Sequence, residues 1–305
     1  MRATVCLSIA LALLVPAGDA PLVYLHLSIK DKNRIFVRDL KVDEIQITVD
    51  GVPQDIEHLF VDQVPTLYAI LIDTGPPMAP PLRHPLYPTL LERVQNFVME
   101  VLDRYRETDS YLLGTYYQKV KWLVEPSSDV VTLERAVRAI GPGEERMIPG
   151  LREGSNAGAA LEETIRRMRR RGESRRAILL FGHTVDQKSI EQVPRLKDLL
   201  ADNAIDLYVV SLAPKVSGAG FSFELRQTPF FYQSLVARTG GEFYDYGFYE
   251  DRLHRQIGDY VTRLHTLWTV AFRLRGLEPA ERPRKVEVTI RRPTSQIEYK
   301  KEIVY

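Results

Sequence analysis

Between Thr66 and Gly75 the chain reads Thr-Leu-Tyr-Ala-Ile-Leu-Ile-Asp-Thr-Gly, with six apolar residues from Leu67 to Ile72 and no polar interruption. A run of that length, bounded by turn formers, suits a strand buried on both faces in the middle of a parallel sheet. It stops on a carboxylate, Asp73, followed by Thr74, Gly75, Pro76, Pro77, Pro80 and Pro81. Open α/β sheets hold their ligands in the crevice outside the carboxyl ends of the strands. Asp73 is therefore the first candidate for function.

The pattern around this strand repeats. Ala177 to Phe181 and Ile205 to Leu212 are further buried runs, and Ser110 to Tyr117 with Val120 to Val124 reads as a strand and its hairpin partner. Between them lie helical stripes at Thr89 to Tyr105, Thr132 to Ile140, Asn156 to Arg170 (with Ser155 placed to cap it), Ile190 to Leu200, Pro229 to Arg238 and Asp251 to His265. A short strand is expected at Glu242 to Tyr244. Strands separated by single helices imply right-handed crossovers and a doubly wound, mainly parallel sheet.

The flanks read differently. Val23, Leu25, Leu27 and Ile29 alternate with polar or half-polar neighbours, as do Ile45, Ile47 and Val49. Asp50-Gly51 then signals a hairpin turn, with Val52 to Leu59 as the returning strand and Phe36 to Glu44 as a short strand and turn before it. After Leu267 the alternation returns at Trp268 to Leu274, Lys285 to Ile290 and Gln296 to Val304. The tail strands need a sheet, and the N-terminal hairpin is the unpaired β unit at hand. The expected organisation is a signal segment at 1–20, β strands at 21–63, an α/β domain at 64–266 inserted into that β unit, and closing strands at 267–305.

Met1-Arg2, the apolar stretch Val5 to Val15 and the small residues Gly18 and Ala20 follow the plan of a secretory signal peptide, with an apolar run too short to span a bilayer permanently. Pro21 sits just beyond the expected cleavage point. The expected location is the periplasm or the exterior. Cys6 is the one cysteine of the 305 residues and lies in that segment, which excludes a disulfide framework. A net charge of +1 provides no general field for nucleic acid.

Several stretches together resemble a von Willebrand factor type A domain, specifically the bacterial exported group called von Willebrand factor A-related. They are Val37 to Leu40 with Val49 to Gln54, Tyr68 to Gly75, Ser155 to Leu161, Arg176 to Thr184, and Thr239 to Tyr244. The closing strands ending at Tyr305 match the family's tail. The resemblance implies a doubly wound sheet, a protein-binding or adhesion role without catalysis, and a divalent metal at the top of the sheet. That metal's oxygens come from an Asp-x-Ser-x-Ser loop, a Thr and a second Asp. Carried onto this chain, those positions hold Asp73, Gly75, Pro77, Ser155 and Gly182. Mg²⁺ wants about six oxygens in a near-octahedral shell, and glycine and proline side chains supply none.

The expectation is thus a degenerate metal site and no cofactor, with weak Mg²⁺ or Mn²⁺ binding left open. Asp73, Thr74, Gly75, Pro77, Ser155, Asn156, Gly182 and His183 would form the face for an unidentified protein partner. Two alternatives stay in view: a structural subunit of an envelope assembly, and a metal-dependent hydrolase built on Asp73 and His183. For the latter, Asp73, His183, Thr184 and Asp186 could supply mixed ligands to Zn²⁺ or Mn²⁺. The plainer arrangement has His183 and Asp186 exposed on a loop and Asp73 capping its neighbour. Arg166, Arg167, Arg169, Arg170, Arg171, Arg175 and Arg176 are either an anion contact or the solvated end of a helix, and the latter is expected. Phe221, Phe223, Phe230, Phe231 and Tyr232 are expected to tuck a helix onto the sheet.

Overall fold

The computed structural model describes residues 22–33, 35–61, 65–78, 89–104, 106–142, 154–169, 175–213, 223–237, 239, 241–245, 267–277, 283–299 and 302–303. The signal segment and the expected helix at Asp251 to His265 lie outside them.

The alternating N-terminal residues form β1 (Leu22–Asp31), β2 (Ile45–Val49), β3 (Val52–Gln54) and β4 (Ile56–Val61). Asp50 and Gly51, both at positive φ, make the β2–β3 turn, a conformation that glycine takes freely and aspartate tolerates. The chain does not return as one strand. It breaks at Asp55, and β4 leaves its hairpin to join a different sheet. Phe36 contributes an isolated bridge to Lys30, and Val42–Glu44 is a single 3-10 turn.

The middle of the chain forms β5 (Thr66–Asp73), α1 (Leu90–Leu102), β6 (Ser110–Tyr116), β7 (Val120–Ser127), α2 (Val130–Arg138), α3 (Ala157–Met168) and β8 (Arg175–Gly182), followed by α4 (Gln187–Glu191), α5 (Val193–Asp202), β9 (Ile205–Ser211), α6 (Phe223–Val236) and β10 (Phe243–Asp245). The sheet runs β10-β9-β8-β5-β6-β7, parallel throughout except for the antiparallel edge strand β7. Every residue of β5 is buried, as its unbroken apolar run requires of a central strand. Alternate strand residues feed two cores. Ile70, Ile72, Leu179 and Val210 pack with α1 and α2, whereas Leu71, Leu180 and Val209 pack with α3, α5 and α6.

Two helices depart from expectation at their starts. The single helix expected at Ile190 to Leu200 is two, α4 and α5, joined at Gln192 with Pro194 in the first turn of α5, where a missing N–H costs nothing. α6 begins well before Pro229, which sits inside it. Phe231 and Tyr232 are buried and seat α6 on the sheet; Phe230 is 64% exposed. Phe221 and the Phe223 side chain lie outside the described residues.

The C-terminal part supplies β11 (Trp268–Arg273), β12 (Arg284–Ile290), β13 (Thr294–Tyr299) and β14 (Glu302–Ile303). They complete two four-stranded antiparallel sheets, β13-β1-β11-β4 and β14-β12-β2-β3. Leu25, Leu27, Val270 and Phe272 of one share a core with Ile47, Val49, Val286 and Val288 of the other, making a β-sandwich drawn from both ends of the chain. The stretch expected as one strand at Gln296 to Val304 is divided between the two sheets.

The Arg175–Asp206 ion pair, 3.3 Å apart and 5% and 9% exposed, spans the start of β8 and β9. Arg175 also donates to the Tyr208 hydroxyl at 3.3 Å. Both charges lie within electrostatic reach of His26 on β1, whose Nδ1 is 3.0 Å from Thr269 Oγ1, so this polar node lies where the sandwich meets the sheet. Removing one charge strands the other. Asp206→Ala is expected to lower stability by about 3–5 kcal/mol, and Arg175→Met with Asp206→Leu to recover most of that, as read from urea midpoints.

Candidate functional site

Asp73 lies at the carboxyl end of the central strand, fully buried. Its Oδ1 accepts from the Gly75 N–H at 2.8 Å and the Ser155 hydroxyl at 2.7 Å; its Oδ2 accepts from the His183 N–H at 3.1 Å. One carboxylate thus ties together the loops after β5 and β8 and the approach to α3. Ser155 is not the cap of α3. Asn156 takes that role, accepting from the Ala159 N–H at 3.2 Å, and this leaves the serine hydroxyl free to serve Asp73. Ser155 also bridges Val185, donates its N–H to Thr184 O at 2.7 Å and accepts from the Asp186 N–H at 3.1 Å. The Asn156 N–H donates to Tyr117 O at 2.7 Å and the Thr74 N–H to Tyr116 O at 2.9 Å, which binds the β6–β7 turn into the same knot.

Glycine is required at two of these positions by space. A Cβ on Gly75 would lie 2.8 Å from Ser155 Oγ, 2.9 Å from Tyr117 Cδ2 and 3.0 Å from Asp73 Oδ1. A Cβ on Gly182 would lie 2.0 Å from the Tyr232 hydroxyl and 2.9 Å from that of Tyr116. The volume that a second carboxylate would need after β8 is filled by two tyrosines, from β6 and α6. Tyr116 and Tyr232 are the residues that sequence reading missed, because nothing along the chain indicates that they converge on Gly182.

His183 is buried, not exposed as the plainer expectation had it. Its Nδ1 lies 2.7 Å from the Thr184 hydroxyl, and only its backbone N–H reaches Asp73. Asp186 caps α4 through the Ser189 N–H at 2.8 Å. These residues therefore do not converge on a common point, and among the described residues no three His, Cys, Asp or Glu side chains are grouped to hold a metal. Both Asp73 oxygens accept from protein donors, and tyrosine hydroxyls fill the volume beside Gly182. Six of the eight expected face residues are buried; Pro77 and Asn156 keep partial exposure.

The arginine cluster also resolves into internal contacts. Arg167 pairs with Glu125 and stacks 4.9 Å from the Trp122 ring, Arg166 lies 3.8 Å from Glu163, and Arg176 donates to Asn203 O at 3.3 Å. Arg175 belongs to the buried pair described above, and Arg169 is exposed. Arg170 and Arg171 lie outside the described residues.

No protein-family model and no curated protein matches the chain. Solved structures do match. The D319A mutant of the PilB minor pilin from Streptococcus sanguinis aligns at 8% identity over 79% of this chain and 87% of that one, with a TM-score of 0.50. Conserved hypothetical protein BatB from Bacteroides thetaiotaomicron aligns at 16% identity over 66% and 98%, with a TM-score of 0.45. The VWA domain of SpRpn10 aligns at 14% identity over 60% and 88%, also at 0.45. The likeness is one of fold. What is shared is a doubly wound α/β sheet flanked by helices, here carried by a β-sandwich. No helix among the described residues is long and apolar enough to cross a membrane.

Burial moves two groups here in opposite directions. It raises the Asp73 carboxyl to about 6, against the lowering effect of Ser155 and the two N–H donors, and it lowers the His183 imidazole to about 4. Asp73 thus favours the folded state below its unfolded pKa, and loses that contribution as pH rises through about 6. His183 contributes above its unfolded pKa and loses it as pH falls through about 4. Each amounts to about 3 kcal/mol, and they largely cancel. Asp73→Asn is expected to leave the histidine slope uncovered, so that its loss of stability from pH 7.5 to 4.5 exceeds that of the natural chain by about 2 kcal/mol in urea unfolding. Restoring a carboxylate by Gly182→Asp is expected to cost about 3 kcal/mol through overpacking and burial of charge. Calorimetric melting of that variant should fall, with no recovery on adding Mg²⁺.

Proposed function

We propose that this chain is an exported, non-enzymatic protein-binding module that recognises its partner without a metal ion. The observation that carries the reading is the engagement of Asp73 by the protein itself: its carboxylate accepts from Ser155, Gly75 and His183, and tyrosine hydroxyls fill the space beside Gly182. Where the family resemblance puts a cation, this chain has an internal polar knot. Such a knot fixes the loops around it and leaves recognition to what stands at their rim, Pro76, Pro77, Asn156 and the β6–β7 turn. Stiff, partly apolar loops on a rigid scaffold suit contact with another protein. Catalysis gains no support from the same atoms, because the His183 imidazole faces Thr184 and not Asp73. Export rests on the pattern of residues 1–20.

A crosslinking pull-down from native periplasm and membrane tests this. The same partner should be recovered with and without EDTA, and titration calorimetry should show no saturable heat with Mg²⁺ or Mn²⁺. A partner released by the chelator and restored by Mg²⁺ would overturn metal independence.

A further inference from the structure

Beside the knot, a cleft of about 720 Å³ opens between the β6–β7 hairpin and the end of α2. Its volume lies within the range of specific binding sites. Leu123, Ala136 and Ile140 give it an apolar floor; Gln118, Lys119 and Lys121 stand along it. Lys119 and Lys121 are exposed, and among the described residues no carboxylate pairs with either and none lines the cleft. The carbonyls at the end of α2 would oppose an anion. They are already engaged: the Gln95 amide donates to Val137 O at 2.8 Å and Ile140 O at 3.0 Å. Among the described residues the charged lining of the cleft is thus positive, and the turn beside it is held by the Asn156 and Thr74 N–H groups.

The backbone indicates the shape of the occupant. β7 is the terminal strand of the sheet, and among the described residues only β6 pairs with it, so no described strand occupies its outer edge. Lys121 and Leu123 are two residues apart and both line the cleft, with Lys119 two residues before Lys121 in the turn; the pairing with β6 shifts register between Trp122 and Val124. An extended segment laid along such an edge gains main-chain hydrogen bonds and repeats its own side chains every second residue on the same face.

Resting on the protein-binding reading above, we infer that this edge and cleft take an extended acidic segment of the partner, with two carboxylates at alternate positions opposite Lys119 and Lys121 and an apolar residue two further along, over Leu123. The lysines serve twice. They repel the edge of a second copy, where lysine would meet lysine, and they select a segment of opposite charge.

The test uses the full chain and a fluorescein-labelled heptapeptide, Thr-Glu-Thr-Glu-Thr-Leu-Thr, with its reversed sequence, read by anisotropy in EDTA. One of the two should bind saturably. Lys119→Glu with Lys121→Glu should weaken it at least tenfold, and glutamine in place of both glutamates should do the same. Both lysines are exposed, so the variant's unchanged melting curve reports an intact fold. Equal binding by the double variant or by the glutamine peptide would overturn the inference. So would failure of both peptides to bind, or displacement by inorganic phosphate as effective as by unlabelled peptide, which marks a free-anion site. In the pull-down, a double variant that still captures the partner in EDTA refutes the cleft while the protein-binding reading stands. Chelator-sensitive capture by the natural chain refutes that reading instead.

Discussion

A carboxylate placed at the dry end of a central strand must be satisfied by something, and the top of this molecule is built around how Asp73 is satisfied. Three protein donors from three loops meet its two oxygens. An ion held at such a place stabilises loops only while it is bound. A hydroxyl and two peptide N–H groups do so permanently, since they are part of the folded chain. The same donors explain why the buried acid is tolerated: they offset a desolvation cost that would otherwise be prohibitive.

The tyrosines complete this logic. Gly182 lets the β8 backbone run close to Tyr232 and Tyr116, and their rings make the knot continuous with the core beneath it. Tyr116 donates to Phe181 O at 3.5 Å, so the neighbouring strand also feels their position. Glycine at 75 and 182 therefore makes room for Ser155 and Tyr117 on one side and Tyr232 and Tyr116 on the other, which is why this end of the sheet is closely packed.

Much of this was legible in the sequence, unevenly. The apolar run of β5 announced a central strand, and Asp73 at its end marked the upper rim, because buried strands and their terminal breaks are local features. That Gly75, Pro77 and Gly182 carry no side-chain oxygen is plain in the same way. What could not be read was convergence. Tyr116 and Tyr232 lie on elements far apart along the chain, and Ser155 looked like a helix cap because serine before a helix usually is one. Its hydroxyl instead went to the strongest acceptor nearby, and Asn156 took over the cap. The break at Asp55 was equally hidden: the alternation of β3 continues into β4, and only the competing sheet decides where the strand goes.

Val61 and Trp268 are register partners on β4 and β11, although the entire α/β unit lies between them. In topology the sandwich contains a hairpin whose loop is a folded domain of roughly two hundred residues. Closing such a loop as coil costs entropy that grows with the logarithm of its length. A domain that folds with its two ends side by side removes most of that cost. The early strands β1, β2 and β4 cannot complete their sheets until β11, β12 and β13 have been synthesised, so their edges stay open for most of translation. The ordering of the last-made strands is thus what seals the first-made ones, and truncation near Leu267 would expose both.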